Sequence, residues 1–198
     1  WLSGDEKLKE MMATGDVYAN IYKAIKGTAD RIAGKNLFLP VIYGESPESL
    51  SREWEISYED ALYHVRSLEQ LFPAAFRWVG QKCENGEAED HFGRRRKFEE
   101  NENWKVRNFY VQSPASLFCL EKLIRLHAVL SGVARVACHV HDGYIVAAKK
   151  DTWREAFRLS VDALEGPSDW CPGLRLTVGC QAGRKLNEMS VLRKVTKG

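Results

Sequence analysis

The stretch RVACHVHDGYIVAAKK, residues 135–150, decides the fold of the second half of this chain. Two apolar, strand-like runs flank the triplet His141-Asp142-Gly143. Asp-Gly between such runs predicts a β-hairpin, because a tight turn needs a positive φ that glycine tolerates. We therefore expect a hairpin over 135–149 with Asp142 at or beside its tip. A carboxylate there is either a turn former or a metal ligand.

Composition sets wide bounds on the function. The chain has 198 residues, enough for one sizeable domain or two small lobes. Its 44% hydrophobic and 28% charged residues are ordinary for a globular protein. The net charge of +2 does not by itself indicate a nucleic-acid binder, so any such surface must come from local clustering.

The cellular setting follows from two further patterns. No apolar run approaches membrane-spanning length and no signal peptide is visible, so we expect a cytoplasmic protein without a membrane partner. An odd, scattered set of cysteines without CxxC spacing favours buried thiols in a reducing compartment. These cysteines are Cys83, Cys119, Cys138, Cys171 and Cys180.

The order of elements predicts an α+β fold. The first half is helical, with one helix capped by Ser57 and closed by Pro73. Later segments predict a helix over 114–131 capped by Ser113, the hairpin, a helix over 152–164 capped by Asp151, and a strand over 174–178. This order indicates a small antiparallel sheet backed by helices, plus a helical lobe.

A cationic helix face is the first candidate site. Arg31, Lys35, Leu39 and Tyr43 are spaced by four, so an α-helix places them on one slowly turning face. Such a face could clamp a polyphosphate and stack a base. The alternative is a solvated basic edge of an amphipathic helix, and Pro40 is expected to bend the helix.

Two polar segments are further candidates. Asn108 and Gln112, also four apart, could bond base edges or sugars, or could be loop and capping polarity before the next helix. The segment FGRRRK, residues 92–97, is the densest positive cluster and could contact phosphates, or could be a solvated charge run.

The hairpin itself allows two kinds of metal chemistry. His139-x-His141 has a spacing that places both rings on one face of a strand, as in zinc hydrolases. Alternatively, Asp142 holds a hard divalent ion together with a second carboxylate from elsewhere.

These motifs, in this order, resemble the C-terminal polymerase region of family A DNA polymerases, the DNA polymerase I family. LSGDEKL resembles the segment after the family's first catalytic motif, and RIAGKNLFLPVIYG resembles its fingers motif Arg-x3-Lys-x7-Tyr-Gly. FGRRR recurs in family members, RNFYVQS resembles an Asn-x3-Gln segment, and HVHDG resembles the palm motif Val-His-Asp-Glu. The resemblance covers nearly the whole chain.

What the resemblance implies is DNA-directed DNA polymerase activity, that is, template-directed nucleotidyl transfer. It implies helical fingers over 1–95, with the nucleotide-binding helix at about 30–44, and a palm over 96–198 that contains the catalytic hairpin. The catalytic residue would be Asp142, which binds a Mg²⁺ pair. The incoming dNTP would meet Arg31, Lys35, Leu39, Tyr43 and Tyr18. Primer-template DNA would meet Asn108, Gln112, His141, Arg94 and Arg95.

Departures from the family pattern qualify this expectation. Leu39 replaces an aromatic residue, Pro40 stands where glycine is frequent, and Gly143 replaces the glutamate of the palm motif. These departures favour a phage or viral branch. The family's first metal-binding Asp would lie upstream of LSGDE, in a longer parent or a companion chain that also supplies the thumb. We therefore expect that residues 1–198 alone do not polymerise.

Three other functions remain open from the sequence. A single-subunit RNA polymerase shares the palm and a similar fingers motif. A non-catalytic nucleic-acid-binding module with the same fold would keep DNA affinity after loss of Asp142. A His-x-His metallohydrolase would bind zinc through His139 and His141.

Overall fold

A computed structural model describes residues 1–81, 86–99, 102, 105–169, 171, 173, 174 and 176–193. The chain divides into two compact units, the first covering Trp1–Pro114 and the second beginning at Ala115. The regular secondary structure of the described residues consists of helices and small two-stranded antiparallel sheets, which confirms the predicted α+β class. No described helix is long and apolar enough to cross a bilayer.

Six short helices form most of the first unit. They are α1 (Glu6–Ala13), α2 (Val17–Lys26), α3 (Arg31–Tyr43), α4 (Pro47–Trp54), α5 (Tyr58–Leu71) and α6 (Pro73–Val79). Five begin at an Asp or Ser whose side chain accepts a backbone N–H of the first turn, at Asp5, Asp16, Asp30, Ser46 and Ser57. The cap predicted at Ser57 is confirmed, since its Oγ lies 3.0 Å from the N atom of Asp60.

Every one of these six helices contributes to one apolar core. The buried side chains are Met11, Ile21, Leu37, Val41, Ile42, Leu50, Ala61, Leu68, Phe72, Ala75, Phe76 and Val79. Burial of a large side chain of this kind contributes about 1.5–3 kcal/mol. The packing therefore stabilises helices that are too short to persist alone in water.

A small hairpin and the first part of a long helix, up to Pro114, complete the first unit. Strand β1 (Glu87–Glu89) pairs with β2 (Arg95–Lys97), and helix α7 (Lys105–Val129) follows. The hairpin and the start of α7 share a second core made of Ala88, Phe98, Val106 and Tyr110.

The predicted start of the helix at Pro114 is wrong. Helix α7 begins at Lys105 and carries Pro114 in its interior. Proline lacks the N–H that would bond to the carbonyl of Tyr110, at a cost of about 3 kcal/mol. Burial of Val106 and Tyr110 offsets this cost, because both are about 95% buried in the second core, at 5% exposure each.

The predicted capping role of Ser113 is wrong for the same reason. Ser113 lies inside α7, and its Oγ donates to Oδ2 of Asp90 at 2.5 Å. The packing thus extends the helix across the segment that holds Asn108 and Gln112, which are helical residues rather than parts of a loop.

The hairpin predicted in the second half is confirmed. Strand β3 (Ala134–Val140) pairs antiparallel with β4 (Gly143–Ala148), and Val140 faces Gly143 across the turn. The positive φ falls on His141, at 56°, and not on the glycine. Histidine is among the residues that tolerate this left-handed region better than most.

The remaining elements of the second unit are α8 (Trp153–Glu165), β5 (Cys180–Ala182), a 3₁₀ turn (Leu186–Glu188) and β6 (Ser190–Arg193). Helix α8 follows Thr152 rather than the predicted cap Asp151, and the Thr152 hydroxyl donates to the Val133 carbonyl instead of capping. The hairpin and α8 pack around Leu126, Leu130 and Ala156.

The predicted strand over 174–178 is wrong in its position. Its described residues have no ladder partner, and β5 pairs with β6 farther along the chain. Alternation of apolar residues could not identify this, because the N–H of Val178 bonds to the Glu165 carboxylate, 2.8 Å away, instead of to a strand. No disulfide joins the four described cysteines, and Cys83 lies outside the described residues.

Candidate functional site

The predicted cationic face lies on a single helix. Arg31, Lys35, Leu39 and Tyr43 all belong to α3, which begins after the cap Asp30. Pro40 does not end the helix, and α3 closes at Gly44, whose φ is 95°. This left-handed conformation is one that glycine adopts without a Cβ clash.

Asp16 orients the first cation of this face. The Nε atom of Arg31 lies 2.6 Å from Oδ2 of Asp16. The other oxygen, Oδ1, accepts from the N–H groups of Tyr18 and Ala19 and so caps α2. One carboxylate therefore fixes both the start of α2 and the direction of the Arg31 guanidinium. Asp16 was missed by sequence reasoning, although the order Gly-Asp before an amphipathic run predicts a cap.

Gly34 allows α2 and α3 to approach closely. A Cβ built on Gly34 would lie 1.9 Å from the Tyr18 carbonyl oxygen, so only glycine fits. This approach brings the guanidinium of Arg31 to 5.8 Å from the centre of the Tyr18 ring, within cation–π range.

The Tyr18 phenol is a neutral donor in this position. Burial raises the pKa of Tyr18, and the nearby Tyr43 raises it further, while Arg31 and Asp16 act in opposite directions. A neutral hydroxyl can donate to a phosphate oxygen without adding negative charge to the site.

A hydrogen bond between residues 69 positions apart in the sequence joins the predicted face of α3 to the predicted amide pair of α7. Nε2 of Gln112 in α7 donates to the hydroxyl of Tyr43 at the end of α3. Asn108 lies one helical turn before Gln112 on α7, and both side chains are exposed. The first unit therefore brings the end of the cationic face and the amide pair together.

The basic hairpin has its own internal ion pairs. Nε of Arg95 lies 2.6 Å from a carboxylate oxygen of Glu89 and 3.8 Å from one of Glu87. Arg94 is exposed, and its backbone is held at both ends by Asp90. Asp90 is a second residue that sequence reasoning missed.

The predicted metal ligand belongs to the second unit. Asp142 and His141 form the turn between β3 and β4, and both are exposed. An exposed carboxylate at a turn has the oxygen chemistry that Mg²⁺ prefers. Among the described residues, no group of three or more His, Cys, Asp or Glu side chains is placed to hold a metal ion. Asp142 therefore fits one ligand of a magnesium site and not a complete site.

The His-x-His spacing does not form a zinc site within the described part of the chain. The ring of His139 stacks on Tyr144, with centroids 5.0 Å apart and planes at 12°. His141 lies in the turn rather than on the strand, so the two rings do not follow the strand periodicity that the zinc interpretation assumed. No third ligand joins them among the described residues.

Comparison with known proteins defines the class. The family model for DNA polymerase family A matches residues 1–188, and the chain therefore belongs to this family. The thermostable DNA polymerase I of Thermus thermophilus is 29% identical over 189 residues, which are 83% of this chain and 23% of that protein. The enzyme of the same description from Thermus aquaticus is 28% identical over 201 residues, covering 90% of this chain and 24% of that protein.

The fold agrees with a solved structure of the same kind. The POL domain of Pol1 from M. smegmatis, in complex with DNA primer-template and dNTP, superposes with a TM-score of 0.73 at 18% identity. The match covers 83% of this chain and 33% of that one. The chain thus spans about a quarter of the length of the curated relatives that it matches.

Proposed function

We propose that the chain contributes to a DNA-directed DNA polymerase, with template-directed nucleotidyl transfer as its reaction. Membership of family A supports the reaction class. The single observation that carries the proposal is the contact between Tyr43 and Gln112, because it joins the cationic face of α3 to an amide pair whose chemistry suits base edges or sugars.

The helix α3 face is proposed to bind the triphosphate of the incoming dNTP. The Arg31 guanidinium offers a planar fork for phosphate oxygens and Lys35 a point charge one turn on. Tyr18 donates from the neighbouring helix. Leu39 packs against the sugar, and Tyr43 lies near the templating base and the nascent pair. These groups position the triphosphate and stabilise its charge.

Primer-template DNA is proposed to lie against the amide pair and the basic hairpin. Asn108 and Gln112 are proposed to contact the duplex near the primer terminus. His141, in the turn between β3 and β4, is proposed to contact DNA as well. Arg94 and Arg95 contact phosphates, whose neutralisation makes affinity depend on salt.

Asp142 is proposed as the catalytic carboxylate and as a ligand of the Mg²⁺ pair. When bound, such ions lower the pKa of the primer 3′-hydroxyl and stabilise charge at the attacked α-phosphate. One carboxylate compensates the charge of two divalent ions poorly. We therefore propose that a longer parent or companion chain supplies the second carboxylate and the thumb, and that the 198 residues alone do not extend a primer.

The functional division that we propose is fingers over 1–95 and palm over 96–198. The compact units divide at Pro114 instead, because the first half of α7 shares its core with the β1–β2 hairpin. Leu39, Pro40 and Gly143 depart from the family pattern, and we propose on that basis that the chain belongs to a phage or viral branch. The compartment that we propose is the cytoplasm of a bacterial or infected cell.

Equilibrium binding to primer-template DNA and then to a fluorescent dNTP tests the proposal without turnover. Lys35→Ala should weaken dNTP binding about tenfold or more, the effect of one hydrogen bond to a charged group. Lys23→Ala is the matched control, because Lys23 is an exposed lysine of α2 that has no part in the proposed contacts. Tighter binding of ribonucleotides than of deoxynucleotides would instead support an RNA polymerase.

Primer extension by the chain with its companion segment tests the catalytic role. Asp142→Ala should abolish incorporation while DNA affinity is kept. Undiminished incorporation by this variant would refute the role of Asp142, and robust extension by the 198 residues alone would refute the need for a second chain segment.

A further inference from the structure

Asp90 is a buried carboxylate to which the proposed reaction gives no role. It is 5% exposed and is the first residue of the turn that joins β1 to β2 in the basic hairpin. A buried carboxylate is costly unless hydrogen bonds satisfy it. The partners of Asp90 therefore indicate what it holds in place.

Asp90 forms hydrogen bonds with both the backbone N–H and the backbone carbonyl of Arg94. Oδ1 of Asp90 accepts from the N–H of Arg94 and from that of Phe92, each at 2.9 Å. The N–H of Asp90 in turn donates to the Arg94 carbonyl at 2.9 Å. Gly93, with a φ of 81°, lets the chain turn inside this loop. The exposed side chain of Arg94 thus projects from a fixed backbone.

The second carboxylate oxygen ties this turn to helix α7. Oδ2 of Asp90 accepts from Oγ of Ser113, which is 8% exposed. The next residue back along α7 is Gln112, the exposed amide that contacts Tyr43. One carboxylate therefore links the backbone of Arg94 to the part of α7 that carries the amide.

We propose that Asp90 is a positioning residue that holds Arg94 at a fixed place relative to Gln112, so that a cation and an amide meet one DNA duplex as a preformed surface. The inference rests on the proposed function, since it requires that the chain binds DNA. Phosphate contacts fix the register of a protein on a duplex. A surface that is already ordered loses less conformational freedom on binding.

Fluorescence anisotropy of the 198-residue chain with a labelled primer-template duplex, over a series of salt concentrations, tests the proposal. Ser113→Ala removes the tie to α7 and leaves the turn bonds of Asp90 intact. It should weaken binding about threefold to tenfold, the range expected for one side chain that must be ordered on binding. Each phosphate contact that is lost should lower the slope of log K against log salt by about 0.9.

Matched variants separate positioning from general loss of stability. Ser116→Ala changes an exposed serine of the same helix and should leave affinity unchanged. Asp90→Asn keeps an oxygen acceptor for the N–H groups of Phe92 and Arg94, and its affinity for DNA should lie within about twofold of the wild type. Asp90→Ala removes this acceptor and should bind DNA more weakly than that. Circular dichroism at the assay temperature establishes that the variants compared are folded.

A double-mutant cycle decides whether Ser113 acts through the arginine. On an Arg94→Ala background, Ser113→Ala should cause no further loss of affinity. Additive losses, or an unchanged affinity of Ser113→Ala alone, would overturn the inference and leave the proposed function standing. Failure of the wild-type chain to bind duplex DNA would overturn both.

Discussion

The Nε atom of Arg31 lies 2.6 Å from Oδ2 of Asp16, while Oδ1 of the same carboxylate caps helix α2. The pair is only partly buried, with the arginine side chain 46% and the aspartate side chain 19% exposed. An ion pair of this exposure contributes about 0–1 kcal/mol, and a cap about 1 kcal/mol. The Asp16 carboxylate therefore adds more stability as the cap of α2 than through its ion pair. Its main effect on Arg31 is to fix the orientation of the guanidinium.

Substitutions at Asp16 should separate these two contributions. We expect Asp16→Ala to lower the free energy of unfolding by about 1–2 kcal/mol, and Asp16→Asn by less than about 1 kcal/mol, because asparagine caps as well as aspartate. Urea unfolding measures both. Asp30→Ala is the control for the loss of a cap, because Asp30 caps α3 by accepting the N–H groups of Ile32 and Ala33. An Asp16→Asn variant as unstable as Asp16→Ala would contradict this division.

Gly34→Ala should destabilise the first unit although alanine is the better helix former. The added Cβ would meet the Tyr18 carbonyl oxygen at 1.9 Å, so α2 and α3 must move apart. Overpacking of this kind costs about 1–3 kcal/mol, more than the gain in helix propensity of about 1 kcal/mol. Thermal or urea unfolding measures the change, and Ala24→Gly at an exposed position of α2 gives the propensity effect alone. A more stable Gly34→Ala protein would show that the helices do not approach this closely.

Local signals predicted the hairpin and the cap at Ser57, because turn and cap residues act within a few positions. The Asp-Gly signal located the turn within one residue, but the positive φ falls on His141 and not on Gly143. Local signals failed at Pro114, where the local signal for a helix start was outweighed by burial of Val106 and Tyr110 in a core completed by β1 and β2. The periodicity of four identified the face of α3, because that face is a property of one helix.

The residues that sequence reasoning missed act through distant contacts. Asp16 and Arg31 are 15 residues apart, and Asp90 and Ser113 are 23 apart. No window of sequence shorter than these separations shows which carboxylate meets which donor. Short polar residues near glycine predict turns and caps, and they leave the second partner of each side chain undetermined.

His64 should make the stability of the first unit depend on pH. Burial lowers the pKa of His64 first, the nearby Lys26 lowers it further, and Asp60 opposes them. Its Nδ1 is buried without a partner among the described residues. The unfolded chain, with a histidine pKa of about 6.5, therefore takes up the proton more readily than the folded one. The stability that comes from keeping His64 neutral is fully present above pH about 6.5. It is lost as the pH falls towards the lowered pKa of His64 in the folded chain.

Urea unfolding at a series of pH values between about 7.5 and 5 checks this expectation. The wild-type chain should lose stability across that range, and His64→Gln should lose less. His127→Gln is the control, because His127 is exposed on α7. Identical pH profiles for the wild type and His64→Gln would exclude His64 as the cause.

Leu39→Phe should change nucleotide discrimination if Leu39 packs against the incoming sugar. Leu39 is half-buried at the edge of the first core, so its outer surface is accessible. A larger side chain should pack more closely against the sugar edge and change the preference for dNTP over dideoxynucleotide, which differ by one 3′-hydroxyl, by about tenfold, within the range for an apolar pocket that meets one small group. Competition binding in the presence of primer-template DNA measures the ratio, with Leu39→Met as the volume-conserving control. An equal ratio in the wild type and Leu39→Phe would refute the contact.

Tyr43 and Gln112 should be energetically coupled, because the amide of one donates to the hydroxyl of the other. We expect Tyr43→Phe and Gln112→Ala each to lower the free energy of unfolding, and the double variant to lose less than the sum by about 0.5–1.5 kcal/mol. Urea unfolding of the four proteins measures this coupling. Asn108→Ala, one turn away on the same helix, replaces Gln112→Ala in the control cycle and should be additive with Tyr43→Phe. Additive losses in the first cycle would mean that the α3 face and the α7 amides are not joined in solution, and the surface proposed for the nascent base pair would lose its support.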